Sequence, residues 1–177
     1  MSLVQVTEAA VKKVKPLLVF SYGNPARGDD ALGPLLTDQL ADWLSQSSAQ
    51  NPLGERVEIL TDYQLQIEHV TDLYGREQVV FVDASVSCPQ PYRFRAIQAE
   101  DDASYTTHAL KPQALLQVYE QVYQQVPPPC YLLEIRGYHF ELGEALSKGA
   151  ALNLGHALVF VQSNCLTDQP YDRTKPA

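Results

Sequence analysis

The sequence has no uncharged apolar run long enough to cross a bilayer as a helix, so a membrane-spanning protein is not expected. Basic charge is also short, with 13 Lys and Arg against 21 Asp and Glu and a formal net charge of -8. General binding to nucleic acid or to an anionic membrane needs the opposite imbalance, so neither is expected as a partner. Cysteine is scarce: Cys88, Cys130 and Cys165 form no CxxC pair and leave one over. That suits reduced thiols in a cytoplasmic protein better than a disulfide scaffold. Lys12, Lys13 and Lys15 precede no long apolar core with a small-residue cleavage site, so no signal peptide is expected. Neither GxGxxG nor GxxxxGK[ST] occurs, which weakens any nucleotide-binding reading. There is no internal repeat and no interdomain linker.

What is present is ordinary for one globular domain: 177 residues, 45% of them apolar and 19% charged. Residues 1–14 and 167–177 are expected to be loose ends. Leu17–Tyr22 is apolar and rich in strand formers. It is followed by the loop Gly23-Asn-Pro-Ala-Arg-Gly-Asp-Asp30, then by a helical stripe of Leu32, Leu35, Leu36, Leu40, Trp43 and Leu44. A second strand is expected at Val57–Thr61, a weak helix at Gln66–Tyr74, and a doubly covered strand at Gln78–Asp83. Pro91–Ile97 alternates polar and apolar residues, as an antiparallel edge strand does. A helix follows over Pro112–Gln125, with Leu115, Leu116, Tyr119 and Val122 inward, then a central strand at Cys130–Ile135. The spacing predicts a last helix over Glu144–Asn164. Strands alternating with helices imply an α/β fold, a single-domain three-layer sandwich with a mostly parallel sheet and helices on both faces.

In such sheets the first and third strands are often neighbours, and ligands bind beyond their carboxyl ends. The loop after the first strand carries Asp29 and Asp30, and Asp83 closes the third. Crowded carboxylates repel, so a cation is their natural compensation. With His108 as a third donor, two carboxylates and an imidazole would suit Ni, Zn, Fe or Mn. Each residue also has a plainer reading. Asp30 could cap the first helix, Asp29 could brace the loop, Asp83 could serve a turn, and His108 could lie at the surface. His69, His139 and His156 have no comparable setting, and Cys88 reads as a small buried hydrophobe.

Gly23-Asn24, Asp29-Asp30 with Gly33 beyond, Val82-Asp83-Ala84 closing a strand, and Thr107-His108 before a helix occur in an order and spacing that resembles the nickel-iron hydrogenase maturation endopeptidases. The resemblance runs over roughly Leu17 to Ser163, and Gly23–Asp30 matches the Gly-Asn-Pro-x-Arg-x-Asp-Asp pattern of the cytoplasmic, bidirectional branch. It implies removal of a C-terminal peptide from the hydrogenase large-subunit precursor after nickel insertion. Asp30, Asp83 and His108 would be the metal-contacting and catalytic residues, with Gly23, Asn24, Arg27 and Asp29 as substrate contacts. Nickel would arrive with the substrate, no permanently bound cofactor is expected, and the protease would act as a monomer. Many members carry Glu where this chain has Asp30, a shorter reach. Two rivals remain open: a Mg-dependent phosphoacceptor receiver-like domain, against which the absence of Lys at Ile135–His139 speaks, and a non-catalytic nickel chaperone.

Overall fold

All six residues of Leu17–Tyr22 are buried, which is why this stretch forms the central strand β1. In the computed structural model, which describes residues 14–46, 53–100 and 110–166, β1 pairs in parallel with Val57–Asp62 (β2) on one side and Gln78–Ser85 (β3) on the other. Strand β3 pairs in parallel with Cys130–Arg136 (β5), and Tyr92–Ile97 (β4) closes the sheet as an antiparallel strand on the far side of β5. The order is β2-β1-β3-β5-β4. The alternating pattern of β4 therefore marks the edge strand that it predicts.

Among the described residues four α-helices accompany the sheet: Leu32–Gln46 (α1), the short Leu53–Arg56 (α2), Pro112–Tyr123 (α3) and Lys148–Phe160 (α4), the last continuing as a π turn through Cys165. Period-two alternation divides the strand side chains between two faces. On one face Val19, Val80, Val82, Leu133 and Ile135 pack against Leu36 and Leu40 of α1 and Leu154 and Ala157 of α4. On the other, Leu18, Phe20, Phe81 and Leu132 pack against Leu115, Leu116 and Tyr119 of α3 and Leu73 of the 3-10 segment Ile67–Leu73. The architecture is the expected α/β three-layer sandwich. Each fully buried Leu or Phe contributes about 1.5–3 kcal/mol, so tertiary burial holds these short helices more than their propensities do.

Two expectations need correction, and a third gains detail. Val122 is 57% exposed, while Val118 is buried and Tyr123 packs at the margin, so the inward stripe of α3 is rotated from the one read off the sequence. The weak helix after β2 is 3-10. The last helix begins at Lys148 instead of Glu144, because Ser147 is its N-cap and the residues before it form a loop held by partners from another part of the chain.

Candidate active site

The carboxyl ends of β1, β2, β3 and β5 open on one edge of the sheet, and the loop after β1 lies across it. That loop is fixed at both ends. At its start, Gly23 has φ +147°, and a Cβ there would stand 2.1 Å from the carbonyl oxygen of Asp30. Only glycine lets the chain fold back so closely. At its end, a Cβ on Gly33 would meet the carbonyl oxygens of Tyr22 at 2.7 Å and Val82 at 3.0 Å, so the first turn of α1 sits directly on the tips of β1 and β3. A hydroxyl cluster secures the same corner: Ser21 Oγ lies 2.7 Å from Thr37 Oγ1 and donates to Thr61 Oγ1 at 3.1 Å.

Asp29 and Asp30 are adjacent in sequence and do different things. Asp29 is fully buried. Its Oδ2 accepts the backbone N–H groups of Tyr138 (2.7 Å) and His139 (3.1 Å) and the hydroxyl of Ser147 (2.8 Å), and its Oδ1 accepts Ser147 N–H at 2.7 Å. Burial alone would raise its pKa, but the hydrogen bonds from Ser147, Tyr138 and His139 outweigh burial and hold the carboxyl below its usual range. Asp29 thus ties the β1 loop to the segment between β5 and α4. With no exposed surface it offers nothing to a substrate, which corrects its assignment as a substrate contact in favour of the bracing alternative.

Asp30 is half-buried and accepts the Asn24 N–H on Oδ2 at 2.9 Å. Asp83 is also half-buried, at the carboxyl end of β3. Its Oδ1 accepts Ala84 N–H at 2.8 Å, and the Tyr22 hydroxyl donates a further hydrogen bond to the carboxylate. The Asp83 carboxyl is raised to about 7, first by desolvation, then by the negative charge of Asp30 and, less, of Glu134; the hydrogen bonds from Ala84 and Tyr22 oppose the shift. Asp30 and Asp83, fifty-three positions apart, are therefore brought close enough to act on each other. In such a pair a neighbouring positive charge would favour the ionised form of both carboxyls.

Of the other expected residues, Asn24 closes the loop by accepting Ala26 N–H at 2.9 Å, and exposed Arg27 donates through Nε to Phe140 O at 3.2 Å. Gly23 is buried and presents backbone alone, its N–H bound to Asp62 O at 3.1 Å. His108 lies outside the described residues. Among the described residues, no three His, Cys, Asp or Glu side chains are grouped as a metal site. Cys88 is buried and its thiol is pushed up by desolvation, away from nucleophile chemistry.

Two contributors escaped sequence reasoning. Tyr22 is one, its own hydroxyl pushed well above the usual phenol value, first by burial and then by Asp83. Asp62 is the other; it ends β2 in register with Tyr22 and lies 3.2 Å from His69 Nε2. The signal for Tyr22 was available once β1 and β3 were neighbours, since residues 18, 20 and 22 share a face and Asp83 continues the alternation of Val79 and Phe81 on that same face.

No protein-family model matches the chain, and neither does any curated protein. Solved structures do. The [NiFe] hydrogenase maturation protease HycI from Thermococcus kodakarensis KOD1 is similar over 85% of this chain and 92% of its own, at TM-score 0.60 and 19% identity. The hydrogenase maturating endopeptidase HybD from E. coli matches 82% of this chain and 88% of its own, at TM-score 0.58 and 18% identity. The hydrogenase 2 maturation peptidase from Thaumarchaeota archaeon SCGC_AB-539-E09 covers 83% and 95%, at TM-score 0.56 and 22% identity. The chain has the fold of these proteases.

Proposed function

We propose that this protein is an endopeptidase that removes the C-terminal extension of a nickel-iron hydrogenase large-subunit precursor once nickel is in place. The observation that carries the reading is the meeting of Asp30 and Asp83 at the carboxyl edge of β1 and β3, on the fold of the maturation proteases. Two carboxylates that cannot both ionise cheaply alone can do so against a divalent cation, and the precursor's own nickel is that cation. The reading makes Asp30 and Asp83 its ligands, with His108 as the third donor, and no metal resident in the protease. Held there, the metal polarises the scissile carbonyl or an attached water, and the protein needs no Ser or Cys nucleophile. Asn24 and Arg27, on the exposed part of the loop, contact the substrate beside it. The protease acts as a monomer in the cytoplasm; among the described residues no helix is long and apolar enough to cross a membrane.

The test is to mix the purified protein with nickel-loaded and nickel-free precursor and to follow the mass of the large subunit. A C-terminal mass loss is expected with the loaded form alone. Asp83→Asn should keep the fold and abolish that loss; undiminished cleavage by this variant would take Asp83 out of the site. Stable nickel binding by the isolated protein without any cleavage would favour the chaperone.

A further inference from the structure

The polar groups at the sheet edge do not stop at Asp83. In the sheet register Asp83 lies opposite Glu134 on β5, and Glu134 lies opposite Arg93 on β4. Neighbouring strands are ~4.8 Å apart, so this row carries the site from its acidic end to a basic one within ~10 Å. Arg93 grips Glu134 with both arms, Nε to Oε2 and Nη2 to Oε1, each at 2.8 Å, and Arg95 Nε adds a third bond at 3.2 Å. Among the described residues, two guanidiniums on one carboxylate leave a positive charge over. Arg136, two residues along β5 from Glu134, adds another. Its Nη1 donates to the Cys88 carbonyl at 3.3 Å and its guanidinium lies 5.5 Å from the centre of the Tyr138 ring, but its Nε is buried with no partner among the described residues.

Charged side chains on an edge strand commonly guard it against pairing with another chain, and Arg93 and Arg95 would serve for that. Guarding does not account for Arg136, which stands on an interior strand, nor for its buried Nε–H, which no described residue accepts. Nor does it account for two arginines converging on one glutamate in a chain of net charge -8. Arg95, partly exposed on the edge strand, presents the planar, forked donor set that suits a carboxylate, and Arg136 adds positive charge on the same face of β5.

We propose that Arg95 and Arg136, with Arg93 and Glu134 fixing their geometry, form an anchor for a carboxylate of the precursor's C-terminal segment, holding the peptide across the sheet edge while its metal-bearing end lies at Asp30 and Asp83. The assignment rests on the endopeptidase reading for the identity of the peptide but not for the binding itself. The carboxylate is either the chain end or an acidic side chain near it.

The test uses short peptides of Gly, Ala and Gln, N-terminally tagged with an uncharged BODIPY dye, in three forms: amidated and uncharged, uncharged in its side chains with a free C-terminal carboxylate, and amidated with internal Glu. Fluorescence anisotropy with the full chain should show binding of the carboxylate-bearing forms over the neutral one. Binding of the second form alone assigns the chain end, and binding of both admits any acidic residue. Arg95→Gln and Arg136→Gln should each weaken that binding by about tenfold or more, the loss of a charge-assisted hydrogen bond. Arg95→Gln, on the exposed edge, keeps the test open if Arg136→Gln does not fold. Equal affinity for all three peptides, binding of none, or unchanged binding in the variants would overturn the proposal. None of these arms involves nickel or cleavage, so a chain that processes no precursor could still pass them, and a true protease could still fail.

Discussion

Replacing Asp29 by Asn isolates what the buried carboxylate does, because the side chain keeps its shape and loses its charge. Four donors converge on Asp29: the N–H groups of Tyr138, His139 and Ser147 and the Ser147 hydroxyl. An amide has one acceptor oxygen. If that oxygen takes the Oδ2 position, where three of the donors meet, the NH₂ group is turned on Ser147 N–H and two donors face each other without solvent. One buried donor left unmatched costs about 1–3 kcal/mol, and the remaining bonds lose their charge assistance. A loss of roughly 2–4 kcal/mol is expected, a large share of an ordinary domain stability. For a chain of this size that corresponds to a melting temperature lower by about 5–15 °C. The sign with pH is fixed by the lowered folded-state pKa. A carboxyl depressed on folding contributes stability that is fully present above its unfolded value, near ~3.9, and is lost as pH falls through the folded value. The gap between wild type and Asp29→Asn should thus be full at neutral pH and close in strong acid. Thermal melts followed by circular dichroism across that range measure it, and hydrogen exchange should show the amides of Tyr138, His139 and Ser147 exchanging faster in the variant. Equal melting temperatures at neutral pH, or a gap that persists unchanged into strong acid, would refute the account.

Asp83 has the opposite sign. Its folded pKa is raised to about 7, so the native state holds a proton that the unfolded chain has released, and this group lowers stability as pH climbs from the unfolded carboxylate value through 7. Asp83→Asn should therefore melt higher than wild type in alkaline buffer and about equally in acid, even as it loses processing. Carbon-detected NMR of the Asp83 carboxyl should give a midpoint near 7, shifted down by Asp30→Asn, which removes a repelling charge, and up by Tyr22→Phe, which removes a hydrogen bond to the ionised form. A midpoint that moves the same way in both variants would contradict the assigned causes. Gly23→Ala puts a Cβ into the Asp30 carbonyl, and the forced opening of the loop should yield either little soluble protein or a folded chain that no longer processes precursor. A fully active Gly23→Ala would mean that the loop's closeness is incidental.

How far the sequence could be read depended on whether a feature was local. Strand β1 falls on Leu17–Tyr22 and β3 on the apolar run from Gln78 because burial on both faces leaves a run that needs no partner to be recognised. The edge position of β4 is equally local but has the opposite cause, one polar face that makes the strand alternate. The meeting of Asp30 and Asp83 needed one rule of topology in addition, that β1 and β3 are neighbours, and the sheet obeys it. Features that depend on two distant segments were invisible. Glu144 and Ser147 look helical in their own neighbourhood; they lie outside α4, where Gly28 N–H donates to the carbonyl of one and Asp29 accepts the N–H of the other. Val122 fits the α3 stripe by spacing, yet the sheet and the 3-10 segment facing that helix select Val118 instead. The row from Asp83 through Glu134 to Arg93 needs strand order, direction and register together, and β4 runs against its neighbour, so no separation along the chain encodes it. The charged residues of this site are thus legible singly and become chemistry only when paired. The two aspartates of the loop make the point most directly: identical in kind and adjacent in sequence, one is spent as a fully bonded internal anchor and the other left half-open at the cleft. What separates them is which one the β5–α4 segment reaches.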